Sequence, residues 1–100
     1  MGMDYNAYVD KDLADLVPGF LENRRRDVTA MIAALQKQDW DTIHRIGHQI
    51  KGSGGGYGFD MISAYGRMIQ ESSEAQDYAA CEGWLYGLLD YLDKVQITYQ

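Results

Sequence analysis

The sequence contains one cysteine, one proline and no long apolar run. The lone thiol of Cys81 cannot form an internal disulfide and is typical of a reducing compartment, so we expect a cytoplasmic protein. No run of about 18 apolar residues is present to predict a membrane span. The amino terminus is acidic and lacks the apolar core of a signal peptide. These absences argue against a secreted or membrane-inserted protein.

Basic residues are also few: nine Lys and Arg against fifteen Asp and Glu give a net charge of -6. Such a chain is poorly suited to take nucleic acid or an anionic membrane as its main partner. One hundred residues, of which 46% are hydrophobic, are enough to bury one core. We therefore expect a single domain over residues 1–100, and a monomer.

Apolar residues recur at helical spacing in four segments, whereas no segment alternates convincingly at the period of two that strands show. The last segment repeats at intervals of four and three residues, like a coiled-coil seam. The residues predicted to face the core are, helix by helix, Phe20, Leu21, Val28, Met31, Ile32 and Leu35; Ile43, Ile46, Gly47 and Ile50; Ile62, Tyr65, Gly66 and Ile69; and Cys81, Leu85, Leu88, Leu92 and Val95.

Local signals predict where these helices begin and end. Pro18 suits the first turn of the first helix. Asp39 is predicted to cap the second, since Asp39-x-x-Thr42 leads directly into its apolar face. Small and polar residues from Glu71 to Asp77 predict a turn between the third and fourth helices.

A fifth, shorter helix is predicted between Met3 and Val17, with Asp4 as its N-cap. Its apolar residues occur at mixed spacings of three and four; they are Tyr5, Tyr8, Val9, Leu13 and Leu16. The predicted fold class is therefore all-α: an antiparallel four-helix bundle with a short additional N-terminal helix across one end.

The most informative stretch is HRIGHQIKGSGGGYG, residues 44–58. On a helical wheel His48 lies about 200° from Ile50 of the apolar stripe, at roughly 100° per residue, so its imidazole is predicted to face water. Residues three, four and seven positions from His48 share this outer face; they are His44, Lys51, Gly52 and Gly55.

Glycines dominate the end of this stretch, occupying four of the five positions from Gly52 to Gly56. Each glycine inside a helix costs up to ~1 kcal/mol relative to alanine. The chain therefore needs bare backbone here, for a turn or for close approach by another molecule. The spacing matches neither dinucleotide-binding G-x-G-x-x-G nor the phosphate-binding G-x-x-x-x-G-K-[ST].

The order His48-x-x-Lys51-Gly52, followed by Gly58, resembles the H-x-x-K-G-x-x-x-x-x-G signature of histidine-containing phosphotransfer (HPt) domains. The resemblance covers roughly 80 residues, because three segments also look like the family's neighbouring helices: Pro18 to Gln38, Phe59 to Ser73 and Asp77 to Val95. The start at Met1 and the end near the last seam residue predict a free-standing protein rather than a part of a larger kinase.

The resemblance implies a phosphoryl carrier of a two-component phosphorelay and not an enzyme. His48 would accept a phosphoryl group from an aspartyl phosphate of a receiver domain and pass it to another receiver, with a hybrid histidine kinase upstream. A neutral imidazole nitrogen is a suitable nucleophile for this step. Lys51 would stand beside the phosphoryl oxygens as a point charge. No cofactor of its own is expected, and Mg²⁺ would be bound by the receiver.

The resemblance also implies a polar residue on the next helix that holds the second nitrogen of the imidazole, and counting along that helix reaches Gln70. Arg67, one turn earlier, is a candidate accessory cation, and Gly52 and Gly55 are candidate accessory positions beside the histidine. Receiver docking is expected to use apolar side chains near the site, with Tyr5, Tyr8 and Val9 as candidates.

Other interpretations of the same residues stay open at this point. His44 and His48 have the i, i+4 spacing of a weak metal-binding pair, although no further ligand completes the motif. The run Arg24-Arg25-Arg26 is either an anion site or an ordinary solvated helix face. Finally, the chain is compatible with a helical interaction bundle that performs no phosphotransfer.

Overall fold

The computed structural model describes residues 5–100, so the predicted N-cap Asp4 lies outside the described residues. Four helices form the body of the molecule: α1 (Val17–Gln36), α2 (Trp40–Ser53), α3 (Asp60–Glu74) and α4 (Tyr78–Lys94). In the bundle α1 packs against α2, α2 against α3, α3 against α4, and α4 back against α1. The prediction of an all-α four-helix bundle is confirmed.

Helices α1 and α2 begin where the sequence predicts. The side chain of Asp39 accepts a hydrogen bond from the backbone N–H of Thr42 at 3.2 Å, and Pro18 lies in the first turn of α1. Asp77 caps α4 in the same way as Asp39 caps α2, accepting from the N–H of Ala80 at 3.1 Å. Each cap satisfies a backbone donor that the helix itself leaves unpaired.

The core is built from the faces that the periodicity predicts. The α2 stripe of Ile43, Ile46 and Ile50 is buried, and so are the inward residues of α3 and α4. Leu21, Ile32 and Val95 are only partly buried and pack at the margin of the core. The apolar periodicity therefore predicts the inner face of every helix correctly.

The amino-terminal segment differs from the prediction of a helix over Met3–Val17. Asn6–Val9 forms a strand, β1, that pairs in parallel with β2 (Gln96–Tyr99), and a 3-10 helix follows at Lys11–Leu16. In β1 the side chains of Ala7 and Val9 are buried while their neighbours are exposed. Alternate burial requires an extended chain, because a helix would place positions 7 and 9 about 200° apart.

Two further expectations need correction. The absence of strands was wrong for these eight residues, because the two ends of the chain satisfy each other's backbone groups; Gln96 N–H, for example, donates to the Tyr5 carbonyl at 2.8 Å. The turn predicted from Glu71 is shorter, since α3 continues to Glu74. The hydroxyls of Ser72 and Ser73 are buried and donate to carbonyls one turn back, which lets α3 continue.

Candidate functional site

The exposed face of α2 is the centre of the candidate site. His48 is exposed on this face, opposite the buried stripe that holds α2 in the core. The sequence prediction that its imidazole faces water therefore agrees with the structure. An accessible ring nitrogen is the first requirement for a histidine that reacts with a partner protein.

Two glycines bring α3 unusually close to this face. A Cβ added at Gly66 would lie 2.5 Å from the backbone nitrogen of Lys51, and one added at Gly47 would lie 3.2 Å from the backbone nitrogen of Gln70. Only hydrogen fits at Gly66, and a methyl group at Gly47 would be tight, so the backbones of α2 and α3 come into direct contact. This contact places the α3 residues that follow Gly66 beside the histidines of α2.

Gln70 is the first side chain of α3 to reach the imidazoles. Its Nε2 lies 3.5 Å from Nδ1 of His48 and 3.2 Å from Nε2 of His44. The structure thus brings Gln70 next to His48, where the resemblance placed it. The same amide contacts a second histidine as well, which spacing along one helix did not indicate.

His44 has a further partner on α3. Its Nε2 lies 2.9 Å from Oε1 of Glu74, and both side chains are about half exposed. Sequence reasoning missed Glu74 and treated His44 only as a member of a possible metal pair. The one available signal was the helical spacing of Gln70 and Glu74, which puts both on the same face of α3.

Lys51 and Arg67 lie on the other side of the site, where they line one open groove of about 420 Å³. Both side chains are exposed, so their charges face water and any partner that approaches. The remaining lining residues are Gly55, Asp60, Ser63 and Ala64. The predicted lysine and the candidate accessory arginine are therefore neighbours across the α2–α3 interface.

The glycines of the motif divide into two groups. A Cβ at Gly52 would have no other segment of residues 5–100 within 4 Å, and one at Gly55 would meet Ser63 only at 3.8 Å. Gly58, in contrast, has a φ of 88°, and a Cβ there would lie 2.5 Å from the Tyr8 carbonyl oxygen. The last glycine is thus required by the fold, whereas Gly52 and Gly55 leave open space beside the site.

Gly54 belongs to the structural group. It is buried, and a Cβ there would lie 2.7 Å from the backbone nitrogen of Ser63. Its carbonyl accepts from the N–H of Phe59 at 2.9 Å, while the N–H of Gly55 donates to the Ser63 hydroxyl at 2.8 Å. These contacts close the tight connection between α2 and α3, so this part of the glycine run is required by the fold.

The three arginines of α1 have partners within the fold. Arg24 donates to the Ser53 hydroxyl at 3.0 Å and pairs with Asp27 at 2.9 Å. Arg25 donates to the Leu92 carbonyl at 2.8 Å and also pairs with Asp93. Arg26 lies 3.9 Å from Glu22 on the same helix. The run therefore pairs within α1 and joins α1 to α2 and α4, and these contacts explain it without an anion site.

The three docking candidates of the amino terminus do not form one surface. Val9 is fully buried, and Tyr5, which precedes β1, donates from its hydroxyl to Asp90 of α4 at 3.0 Å. Only Tyr8 is well exposed, at 57%. The expectation that Val9 contacts a receiver is therefore wrong, because its side chain is part of the core.

Two structural properties concern metal binding and membrane crossing. Among residues 5–100, no three His, Cys, Asp or Glu side chains are arranged to hold a metal ion. Over the same residues, no helix combines the length and the apolar character that crossing a bilayer requires.

Comparison with protein-family models gives a match. The sequence model of the Hpt domain matches residues 15–98, a span that begins at the end of the 3-10 helix and includes all four helices and the signature around His48. No curated protein and no solved structure matches the chain. Because the family match covers most of the sequence, the chain belongs to the Hpt domain family.

Proposed function

We propose that this protein carries a phosphoryl group on His48 between receiver domains of a two-component phosphorelay. Membership of the Hpt domain family implies histidine phosphotransfer. The observation that supports the choice of residue is the contact, 3.5 Å, between the Gln70 amide and Nδ1 of an otherwise exposed imidazole. A neighbour at Nδ1 leaves Nε2 as the nitrogen that a partner can reach.

In the proposed step, Nε2 of neutral His48 attacks the phosphorus of an aspartyl phosphate on the receiver. The new P–N bond forms as the P–O bond breaks, and the aspartate leaves as a carboxylate with the bonding electrons. The hydrogen on Nδ1 stays in place, so the phosphorylated ring carries a positive charge. Transfer to a second receiver is the reverse reaction, and this proposal covers flow in either direction.

Charge stabilisation comes from both proteins. Lys51 and Arg67 line the groove beside the site and would attract the phosphoryl oxygens and the acidic face of a receiver. The loose transition state of phosphoryl transfer requires mainly positioning and charge neutralisation. We assign the required Mg²⁺ to the receiver, and no cofactor to this chain, which therefore acts as a carrier and not as an enzyme.

Access to Nε2 is supported by the open side of α2. Gly52 and Gly55 lie one and two turns from His48 and present backbone rather than side chains. A receiver could thus bring its aspartate close to the imidazole without displacing neighbouring groups. The partners in this proposal are response-regulator receivers and a hybrid histidine kinase, and the carrier acts as a monomer in the cytoplasm, where Cys81 stays reduced.

The test is phosphotransfer from a panel of radiolabelled phosphorylated receivers to three purified proteins: the unchanged chain, His48→Gln and His44→Gln. We expect His48→Gln to remain folded, because position 48 faces water, and to take up no phosphate. His44→Gln should still become phosphorylated, with acid-labile, base-stable label. If His48→Gln retains that label and His44→Gln loses it, the phosphorylated residue is His44 and the assignment is wrong.

A further inference from the structure

A chain of polar contacts continues behind Gln70, away from the reacting nitrogen. Glu74 Oε1 lies 2.9 Å from Nε2 of His44, and this nitrogen lies 3.2 Å from the Gln70 amide. The same amide lies 3.5 Å from Nδ1 of His48. Neither His44 nor Glu74 belongs to the H-x-x-K-G signature, and the proposed transfer step assigns no role to either.

The carboxylate determines where the hydrogen of His44 resides. An ionised carboxylate can only accept hydrogen bonds, so the contact with Glu74 requires His44 to donate from Nε2. A ring nitrogen that donates has no free lone pair in the plane of the ring. It therefore cannot accept a hydrogen bond from an N–H of Gln70, and an amide nitrogen facing it would place two donors against each other.

The Gln70 amide resolves this conflict by a half-turn about its last bond, which exchanges its oxygen and nitrogen. The carbonyl oxygen then shares the Nε2–H of His44 with Glu74 in a bifurcated hydrogen bond, at 3.2 Å against 2.9 Å for the carboxylate. It is also positioned to accept from Nδ1–H of His48. Both ring N–H groups now face an acceptor, and the hydrogen of neutral His48 is held on Nδ1, so its Nε2 carries the lone pair that attacks phosphorus.

The opposite arrangement, which is open only when residue 74 does not require a donor at Nε2 of His44, is unproductive. If the hydrogen of His44 resides on Nδ1, its Nε2 accepts from the Gln70 amide N–H. The other N–H of that amide then faces Nδ1 of His48, which must accept. The hydrogen of His48 consequently moves to Nε2, and the nitrogen that faces the partner loses its nucleophilic lone pair.

We propose that His44 and Glu74 are positioning residues that select the productive tautomer of His48 through Gln70. The proposal rests on the function proposed above, because it concerns the same site. Glu74 holds the hydrogen of His44 on Nε2, His44 holds the carbonyl of Gln70 toward His48, and Gln70 holds the hydrogen of His48 on Nδ1. The positive charge that phosphorylation places on the ring strengthens the last contact.

The test compares Glu74→Gln with the matched variant Glu71→Gln. Both remove one negative charge from an exposed position near the end of α3, but among residues 5–100 only Glu74 pairs with a histidine. A glutamine at position 74 can donate as well as accept, so it no longer dictates the hydrogen position on His44. We expect Glu74→Gln to slow phosphorylation about 2- to 10-fold, the factor equivalent to one ordinary hydrogen bond.

The decisive measurement is the tautomer of His48, read from the nitrogen-15 chemical shifts of its ring without any phosphate present. The unchanged chain and Glu71→Gln should show mainly the Nδ1–H form, and Glu74→Gln should show an increased Nε2–H fraction. In a His44→Phe background, Glu74→Gln should have no additional effect on the rate, because the connection to Gln70 is already broken.

The proposal is overturned if Glu74→Gln leaves the tautomer populations unchanged, whatever happens to the rate. It is also overturned if Glu71→Gln slows transfer equally, since the effect would then be one of net charge. If the tautomer responds as expected but no receiver phosphorylates His48, the positions assigned to the ring hydrogens of His44 and His48 are correct and the phosphotransfer function is wrong. The two proposals therefore fail through different measurements.

Discussion

A Cβ added to Gly66 would lie 2.5 Å from the backbone nitrogen of Lys51 and 2.9 Å from the carbonyl oxygen of Gly47. These neighbours are backbone atoms of α2, so they cannot rotate away as a side chain could. The contact between α2 and α3 is thus set by the lack of side chains at this crossing. One turn further along α3, this proximity lets Gln70 touch the imidazoles, and the packing of two glycines supports the geometry of the site.

Gly66→Ala should therefore lower stability and slow phosphotransfer together. The added methyl group must push α3 away from α2, and overpacking of this kind costs about 1–3 kcal/mol. Gly83→Ala on α4 is the matched control, because no other segment of the described chain lies within 4 Å of a Cβ there. That control should be stabilised by up to ~1 kcal/mol. Chemical denaturation measures both; equal stability of the two variants would refute the close-packing argument.

The helices could be predicted from the sequence, whereas the strands could not. Apolar residues repeat over three or more turns in each helix, so the period is well defined. β1 has only two inward positions, Ala7 and Val9, and its burial alternates over four residues. β2 has no fully buried residue at all. Its pairing joins segments about ninety residues apart, and no local pattern contains this information.

Gln70→Ala is expected to slow phosphorylation of His48 about 10- to 100-fold without stopping it. The lost contact is with a ring that becomes cationic, and hydrogen bonds to charged groups are stronger than neutral ones. Gln70→Glu keeps an acceptor at the same place and should retain more activity than Gln70→Ala. Single-turnover transfer from a labelled receiver gives the rates. An unchanged rate in Gln70→Ala would exclude Gln70 from the site.

The site was also only partly predictable. The exposure of His48 and Lys51 follows from one helical wheel, because it depends on a single local pattern, whereas their roles follow from the family resemblance. Glu74 is thirty residues from His44, and their pairing depends on how closely two helices approach. That approach in turn depends on Gly47 and Gly66. The periodicity predicts that both glycines face inward, but it does not indicate that they contact each other. Contacts between helices are thus the part that requires the structure.

Acid should remove a contribution of Asp39 to the stability of α2. The Thr42 hydroxyl and then the Thr42 backbone N–H donate to this carboxylate and lower its pKa from the ordinary value of 3.8. A lowered pKa in the folded state means that the contribution is present above pH 3.8 and is lost as the pH falls through the folded pKa. Asp39→Ala should therefore be less stable than the unchanged chain at pH 7, by a difference that shrinks in acid.

The matched variant for this prediction is Asp41→Ala, which removes a neighbouring carboxylate from the first turn of the same helix. The contact between Thr42 and Asp39 stays intact in Asp41→Ala. Any difference in stability between this variant and the unchanged chain therefore does not come from that contact. Urea unfolding at a series of pH values below 7 measures each difference. A constant difference for Asp39→Ala between pH 7 and pH 3 would show that the capping carboxylate contributes nothing through its charge.

Gly52 is expected to serve access to His48 rather than folding. It lies on the exposed face of α2, and a Cβ there would meet open space within the described chain. Gly52→Ala should consequently keep or raise the melting temperature, since alanine favours the helix by up to ~1 kcal/mol. Gly52→Gln should also fold, but its longer side chain would occupy the space through which a receiver reaches Nε2 of His48. Its phosphotransfer rate should therefore fall well below that of Gly52→Ala.

Gly83→Gln separates this effect of access from a general effect of replacing a helical glycine, because position 83 is equally open but lies on α4. It should gain stability and transfer phosphate at the unchanged rate. Melting temperatures and transfer rates of the Gly52 and Gly83 variants are compared with the same receiver. If Gly52→Gln loses stability yet transfers phosphate normally, the glycine is needed for the backbone of α2, and the access hypothesis is wrong.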